Sequence, residues 1–238
     1  MFDQFDPAED KMLQVIDNNG KVISKELMPK LSDDEMLKLY KDMLFVRTLD
    51  HMIVSYQRQG RVYTYPPNYG QEAIGVAAGA VLRHEDWLVP AFREMGAWLA
   101  KGVTMKEIFM FNMGFEEGMR FTEANHVLPF SVPIASQLLH GAGIGYAIKY
   151  QKKDEVAMAF VGDGGTSEGD FHEALNFAGD WKVPVIFVVQ NNQYAISVPV
   201  KMQTASVNIA IKSKAYGIKG IKVDGNDIFA MLTAFRYA

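Results

Sequence analysis

Gly162-Asp163-Gly164-Gly165-Thr166-Ser167 follows a mainly apolar run, residues 156–161, and precedes a segment with helical spacing. Glycines at the carboxyl end of a strand, beside a helix start, let main-chain N–H groups approach a phosphate. A dinucleotide fingerprint does not fit, because Ser167 stands where the third glycine belongs. A P-loop does not fit either, because no lysine follows. A carboxylate at position 163 repels a diphosphate unless a divalent cation lies between them. Asn191-Asn192, at the end of the apolar run 183–190, offers the second ligand. Adjacent parallel strands place Asp163 and Asn192 at one sheet edge, and carboxylate and amide oxygens are hard ligands suited to Mg²⁺ with phosphate oxygens. Taken singly, Asp163 also reads as a helix cap and Asn191-Asn192 as a turn.

The elements that must position these residues alternate. Ser32 and Glu35 form a capping box, and Met36, Leu37, Tyr40, Met43 and Leu44 continue at helical spacing, so a helix is expected to about residue 59 and to close at Gly60. Two prolines make residues 63–70 a shaped loop. Small-residue helices are expected at 72–82 and 136–150, and further helices at 92–102, 104–113, 168–180 and 206–216. Strands are expected at 87–90, 156–161, 183–190 and 218–223. Strands alternating with helices of this length imply an α/β fold, a mostly parallel sheet flanked by helices. Residues 1–31 are turn-rich and read as an N-terminal extension, leaving 32–238 as the α/β domain. The two small-residue helices are candidate contact faces toward a partner, or close-packing faces inside the chain.

Composition narrows the function classes. The chain has 238 residues, 49% of them hydrophobic, with 24 Lys+Arg against 28 Asp+Glu. No basic excess is available for a nucleic-acid backbone. Without cysteine, disulfides, thiolate metal sites and a cysteine nucleophile are excluded. The acidic start is expected to carry no signal peptide. The apolar stretches 73–82 and 183–189 fall well short of the ~20 residues that cross a bilayer. A cytoplasmic α/β protein is expected, with no nucleic acid or membrane as partner.

Gly-Asp-Gly, 26 residues, then Asn-Asn resembles the thiamine diphosphate signature. Gly70-Gln71-Glu72-Ala73, Phe92-Arg93-Glu94, Ile134-Ala135-Ser136-Gln137, Gly162 through Phe171, Gln190 through Ser197 and Val223-Asp224-Gly225 stand in one family's order. From about Asp17 onward the chain resembles the alpha subunit of the thiamine diphosphate-dependent first component of 2-oxoacid dehydrogenase complexes, most of all the bacterial pyruvate dehydrogenase type.

The resemblance implies that Asp163, the Asn192 side chain and the Tyr194 main-chain oxygen ligate Mg²⁺. It implies backbone contacts to the diphosphate from Gly164 and Gly165 and a guanidinium contact from Arg93. Phe92 replaces the family's usual tyrosine and so loses a hydroxyl contact. Val132 and Ile134 fall where relatives line the aminopyrimidine, with Ile134 wedged between the cofactor's rings. Pro66 and Pro67 depart from several relatives. The implied reaction decarboxylates a small 2-oxoacid and passes the acyl unit to a lipoyl group on an acyltransferase component. The glutamate that activates the aminopyrimidine belongs to a beta subunit, so no catalytic residue is assigned to this chain. A tetramer of two alpha and two beta subunits is expected. Branched-chain 2-oxoacid and acetoin dehydrogenases share the architecture, and a non-catalytic assembly subunit is a further alternative.

None of the five histidines is assigned to catalysis. His51 and His84 read as surface residues, His126 and His140 as packing residues, and His172 as a neighbour of the diphosphate turn. The sequence stops at Ala238 inside a helical run. The resemblance implies that relatives continue into further strands and a loop with a histidine and an arginine that closes over the diphosphate. A chain without them is expected to hold the cofactor weakly and to show poor or no activity even with its beta partner.

Overall fold

A computed structural model describes residues 1–238. In chain order the elements are β1 (Met12–Leu13), α1 (Asp33–Arg58), α2 (Glu72–Val81), β2 (Trp87–Val89), α3 (Met95–Ala100), α4 (Met105–Asn112), α5 (Ser136–Gln151), β3 (Ala157–Gly162), α6 (Gly169–Trp181), β4 (Val185–Gln190), β5 (Tyr194–Ala195), β6 (Val198–Pro199), α7 (Val200–Gln203), β7 (Lys222–Val223) and α8 (Ile228–Tyr237). No helix is long and apolar enough to cross a membrane.

Strands β2, β3 and β4 form a parallel sheet in that order. Alternation along β3 divides the core. Met158 and Phe160 pack with α1, α2, α3 and α8 on one face, while Ala159 and Val161 pack with α5 and α6 on the other. This is the expected α/β arrangement of a mostly parallel sheet flanked by helices.

Local signals start the helices that support the sheet. Ser32 and Glu35 satisfy each other's main-chain N–H groups at the start of α1, and Thr104 and Glu107 do the same for α4. Glu107 also accepts from the Thr122 main-chain N at 2.8 Å, tying the irregular 114–133 segment to α4. Small residues bring backbones close inside the chain. A Cβ on Gly96 would meet the Val76 nitrogen at 2.7 Å, and one on Gly79 would run into Ala100, so α2 and α3 press together. On α5, a Cβ at Gly141 would stand 2.8 Å from that of Ala159. Both glycine-rich helices therefore use small residues for internal packing, and Gly143 alone faces open space.

Several boundaries differ from the sequence reading. The helix expected from residue 92 begins only at Met95, so residues 92–94 form the approach to it. The segment expected as a helix over 206–216 is a 3-10 turn, Ala210–Tyr216. Asn208 takes the Ile211 N–H at 3.0 Å and donates to the Pro7 carbonyl at 2.8 Å, which draws the segment toward the N-terminus. The strand expected over 218–223 contracts to β7, which pairs in parallel with β1 and not with β2–β4. Asp227 reinforces that pairing. It caps α8 through the Phe229 and Ala230 N–H groups and also accepts from Val15 at 2.6 Å and Ile16 at 2.8 Å. The first residues are thus packed on the domain, with Leu13 and Val15 fully buried.

Candidate functional site

Gly162 of β3 stands opposite Gln190 of β4 in the ladder, and Val89 of β2 opposite Ala159. The chain therefore leaves all three strands at the same carboxyl edge, where open parallel sheets bind ligands. Beyond β3 it enters a 3-10 turn, Asp163–Ser167, before α6. Thr166 Oγ1 donates to the Asp163 carbonyl at 2.8 Å, and the Glu168 N–H donates to the Gly165 carbonyl at 3.1 Å. Asp163 is 1% exposed, and its Oδ2 accepts from Gln203 Nε2 at 3.3 Å. A Cβ on Gly164 would stand 2.5 Å from that of Ala195. One on Gly165 would run into Val161 and approach Ile134 Cγ2 to 3.2 Å. Only glycine lets the backbone lie this close.

The chain beyond β4 folds back over this turn. Asn191 Oδ1 accepts from the Gln193 N–H and Asn192 Oδ1 from the Tyr194 N–H, each at 3.0 Å. Each amide oxygen keeps a second lone pair. The short antiparallel pair β5–β6 then brings Ala195 against Gly164. Around the edge, Val132, Ile134, Tyr194 and Ile196 are apolar and exposed. No group of three or more His, Asp or Glu side chains converges to hold a metal. A cation here would therefore meet one protein carboxylate, neutral oxygens and ligand phosphates, the set that suits Mg²⁺.

Arg93 lies in the stretch between β2 and α3. Its Nη1 donates to the Pro67 carbonyl, its guanidinium lies 5.6 Å from the Phe92 ring, and it forms no ion pair with a carboxylate. Burial lowers its pKa while the nearby Glu94, Tyr65 and Asp50 oppose the shift, so an anionic ligand would meet a partly desolvated cation that no carboxylate pairs directly. Beside it, Glu94 is fully buried, and burial pushes its pKa up to about 8. Glu94 Oε2 accepts from the Arg93 N–H at 3.1 Å, while Oε1 has no partner.

The proline-rich loop that faces Arg93 is strapped from below. Asp50 Oδ1 accepts from Tyr65 Oη and from the Asn68 N–H, both at 2.6 Å. Asn68 Oδ1 takes the Met95 N–H at 3.2 Å, linking α1, the loop and α3. Burial and the neighbouring Asp50 raise the Tyr65 pKa strongly, so its hydroxyl keeps its proton. Asp50, Glu94 and Gln203 were not singled out as site residues by sequence reasoning. Glu94 stands inside the Phe92-Arg93-Glu94 motif, but no local pattern marks its burial.

His51 and His84 are exposed, as expected for surface residues, whereas His140, expected as a packing residue, is exposed too. His126 stacks on Trp87 at 4.3 Å, and His172 contacts Tyr216 Oη at 2.5 Å. An apolar groove of about 560 Å³ between α1 and α4, lined by Phe45, Met52 and Phe109 among others, includes none of the site residues.

A family model described as "Dehydrogenase E1 component" matches residues 40–238. The chain belongs to the dehydrogenase E1 component family. Dehydrogenase E1 components are thiamine diphosphate-dependent as a family. The E1 chain is 40% identical over 228 residues to a Staphylococcus aureus protein named "Pyruvate dehydrogenase E1 component subunit alpha", covering 96% of this chain and 62% of that protein. Proteins of the same name from Acholeplasma laidlawii and Bacillus cereus are 42% identical over 93% of the chain and 40% identical over 97%. The chain spans 62% to 64% of the length of these curated relatives.

Proposed function

We propose that this chain is the alpha subunit of a pyruvate dehydrogenase first component that binds the diphosphate half of Mg²⁺–thiamine diphosphate within residues 32–238. The supporting observation is that Asp163 and Asn192 leave neighbouring parallel strands at one edge, beside a glycine turn with no room for a Cβ. The residues fit the group. Asp163, Asn192 and the Tyr194 main-chain oxygen would hold Mg²⁺, and Gly164 and Gly165 would let the diphosphate lie against the main chain. Arg93 would pair with its negative charge, and Phe92 contributes a ring without a hydroxyl. Val132 and Ile134 would cover the aminopyrimidine and exclude water. When bound, the cofactor supplies the nucleophilic carbon and the electron sink for decarboxylation.

No side chain of this subunit is assigned to proton transfer. The exposed apolar residues at the edge suit an interfacial cofactor completed by a beta subunit, in a tetramer of two alpha and two beta chains in the cytoplasm. The acyl unit passes to a lipoyl-bearing acyltransferase. The names of the relatives favour pyruvate over branched-chain 2-oxoacids and acetoin as substrate. The test is co-purification with the beta subunit and a decarboxylation assay across pyruvate, branched-chain 2-oxoacids and acetoin. Any turnover is expected to favour pyruvate and to require both chains and Mg²⁺. Turnover by the chain alone, or a preference for another acid, would overturn the assignment.

A further inference from the structure

Lys212 lies on the 3-10 turn Ala210–Tyr216, 46 residues beyond the glycine turn. Its ammonium donates to the Thr166 carbonyl at 2.8 Å and to Thr166 Oγ1 at 3.2 Å. Thr166 Oγ1 in turn donates to the Asp163 carbonyl at 2.8 Å, and Thr166 and Asp163 are each 1% exposed. The chain of contacts therefore runs from the Lys212 charge to the main chain of Asp163.

Two features separate this lysine from an ordinary surface cation. It forms no ion pair, whereas Lys214 and Lys222 on the same stretch pair with Asp6 and Asp10. It is half-buried, lies 5.7 Å from the Phe171 ring, and burial lowers its pKa. A desolvated ammonium is costly unless its donors are used, and here two of its three N–H bonds go to one residue of the glycine turn. The other end is held as well, because Asn208 binds Pro7 and Asp10, and Lys214 binds Asp6.

We infer that Lys212 is a positioning residue for the diphosphate turn: acting through Thr166, it holds Asp163–Ser167 in the shape that presents Asp163 and the two glycines to a Mg²⁺–diphosphate ligand. The ligand half of this inference rests on the proposed cofactor reading, and the brace itself does not. A 3-10 turn is a short, poorly bonded element, so a charge-assisted donor from a distant segment has a large effect on its shape.

The test compares the wild-type chain with Lys212→Met and Lys212→Arg. Hydrogen exchange of the ligand-free chain reads the turn directly. Lys212→Met is expected to speed exchange in residues 164–168 by about tenfold, the factor for losing one hydrogen bond to a charged group, with β3 and the last turns of α6 unchanged. Lys212→Arg, which keeps a cationic donor, is expected to restore slow exchange. Calorimetric titration with Mg²⁺ and thiamine diphosphate is expected to show binding weakened about tenfold in Lys212→Met and near wild type in Lys212→Arg. Wild-type exchange and affinity in Lys212→Met would overturn the inference, and so would faster exchange spread evenly over the sheet. If the wild-type chain co-purified with its beta subunit binds no thiamine diphosphate while Lys212→Met still loosens the turn, the brace stands and the cofactor reading fails.

Discussion

Gln203 Nε2 donates to Asp163 Oδ2 at 3.3 Å, and the same amide nitrogen reaches the Val198 carbonyl at 3.2 Å. A neutral donor thus orients a buried carboxylate that forms no ion pair inside the chain. Asp163→Asn keeps the size and an acceptor for Gln203 and removes only the charge. Its stability is expected to stay within about 1 kcal/mol of wild type. Mg²⁺-dependent thiamine diphosphate affinity is expected to fall by about two orders of magnitude, the scale for unpairing a buried charge. Thermal melts and calorimetry on the same preparation check both halves.

Gly164 and Gly165 are expected to separate binding from stability. A Cβ at 165 collides with Val161, a 1%-exposed member of the core cluster around Phe171. Gly165→Ala is expected to cost about 1–3 kcal/mol by overpacking. A Cβ at 164 meets Ala195 on the exposed β5–β6 hairpin, which can shift. Gly164→Ala is expected to change stability by only about 0.5 kcal/mol and to weaken cofactor binding by moving Asn192 and Tyr194. Urea unfolding together with titration distinguishes the two variants.

Glu94 gives the protein a pH-dependent liability. Burial raises its pKa from the ordinary 4.5 to about 8. Below pH 4.5 the carboxyl is protonated both folded and unfolded. Between 4.5 and 8 the unfolded chain gives up the proton while the folded chain keeps it, so the Glu94 contribution to stability declines as pH rises. It levels off above pH 8, where both states are ionised. The decline is expected to be on the order of a few kcal/mol. Glu94→Gln is expected to match wild type near pH 5 and exceed it at pH 8. Equal slopes for the two proteins across this range would show that the buried carboxyl does not hold its proton.

Asp227 joins the two ends of the chain. Its Oδ1 caps α8 and its Oδ2 takes the Val15 and Ile16 N–H groups. Asp227→Ala removes a helix cap and strands two N–H groups, one of them buried, at an expected total cost of about 3 kcal/mol. Limited proteolysis is expected to cut within residues 1–16 of the variant well before the rest of the chain.

The features legible from residue order alone are local in origin. The capping boxes at Ser32 and Thr104 need only a spacing of three, and both form. The apolar runs ending at Gly162 and Gln190 are strands because of their composition. Their parallel pairing follows from the helix between them, which brings the glycine turn and Asn191-Asn192 to one edge. Tertiary structure alone decided how that edge is held. Asp50 meets Tyr65 across 15 residues, Gln203 meets Asp163 across 40, and Lys212 meets Thr166 across 46. Such polar contacts carry no periodicity and no composition signal, because each depends on where packed layers bring two unrelated segments. The same holds for Glu94, fully buried at the start of α3, a helix that presses against α2 at Gly75, Gly79 and Gly96. It holds also for residues 206–223, where Asn208 and the pairing of β7 with β1 override local helix and strand preferences. Helices and strands are encoded by neighbours in the chain, whereas the site's electrostatics come from side chains that become neighbours only after the layers have packed.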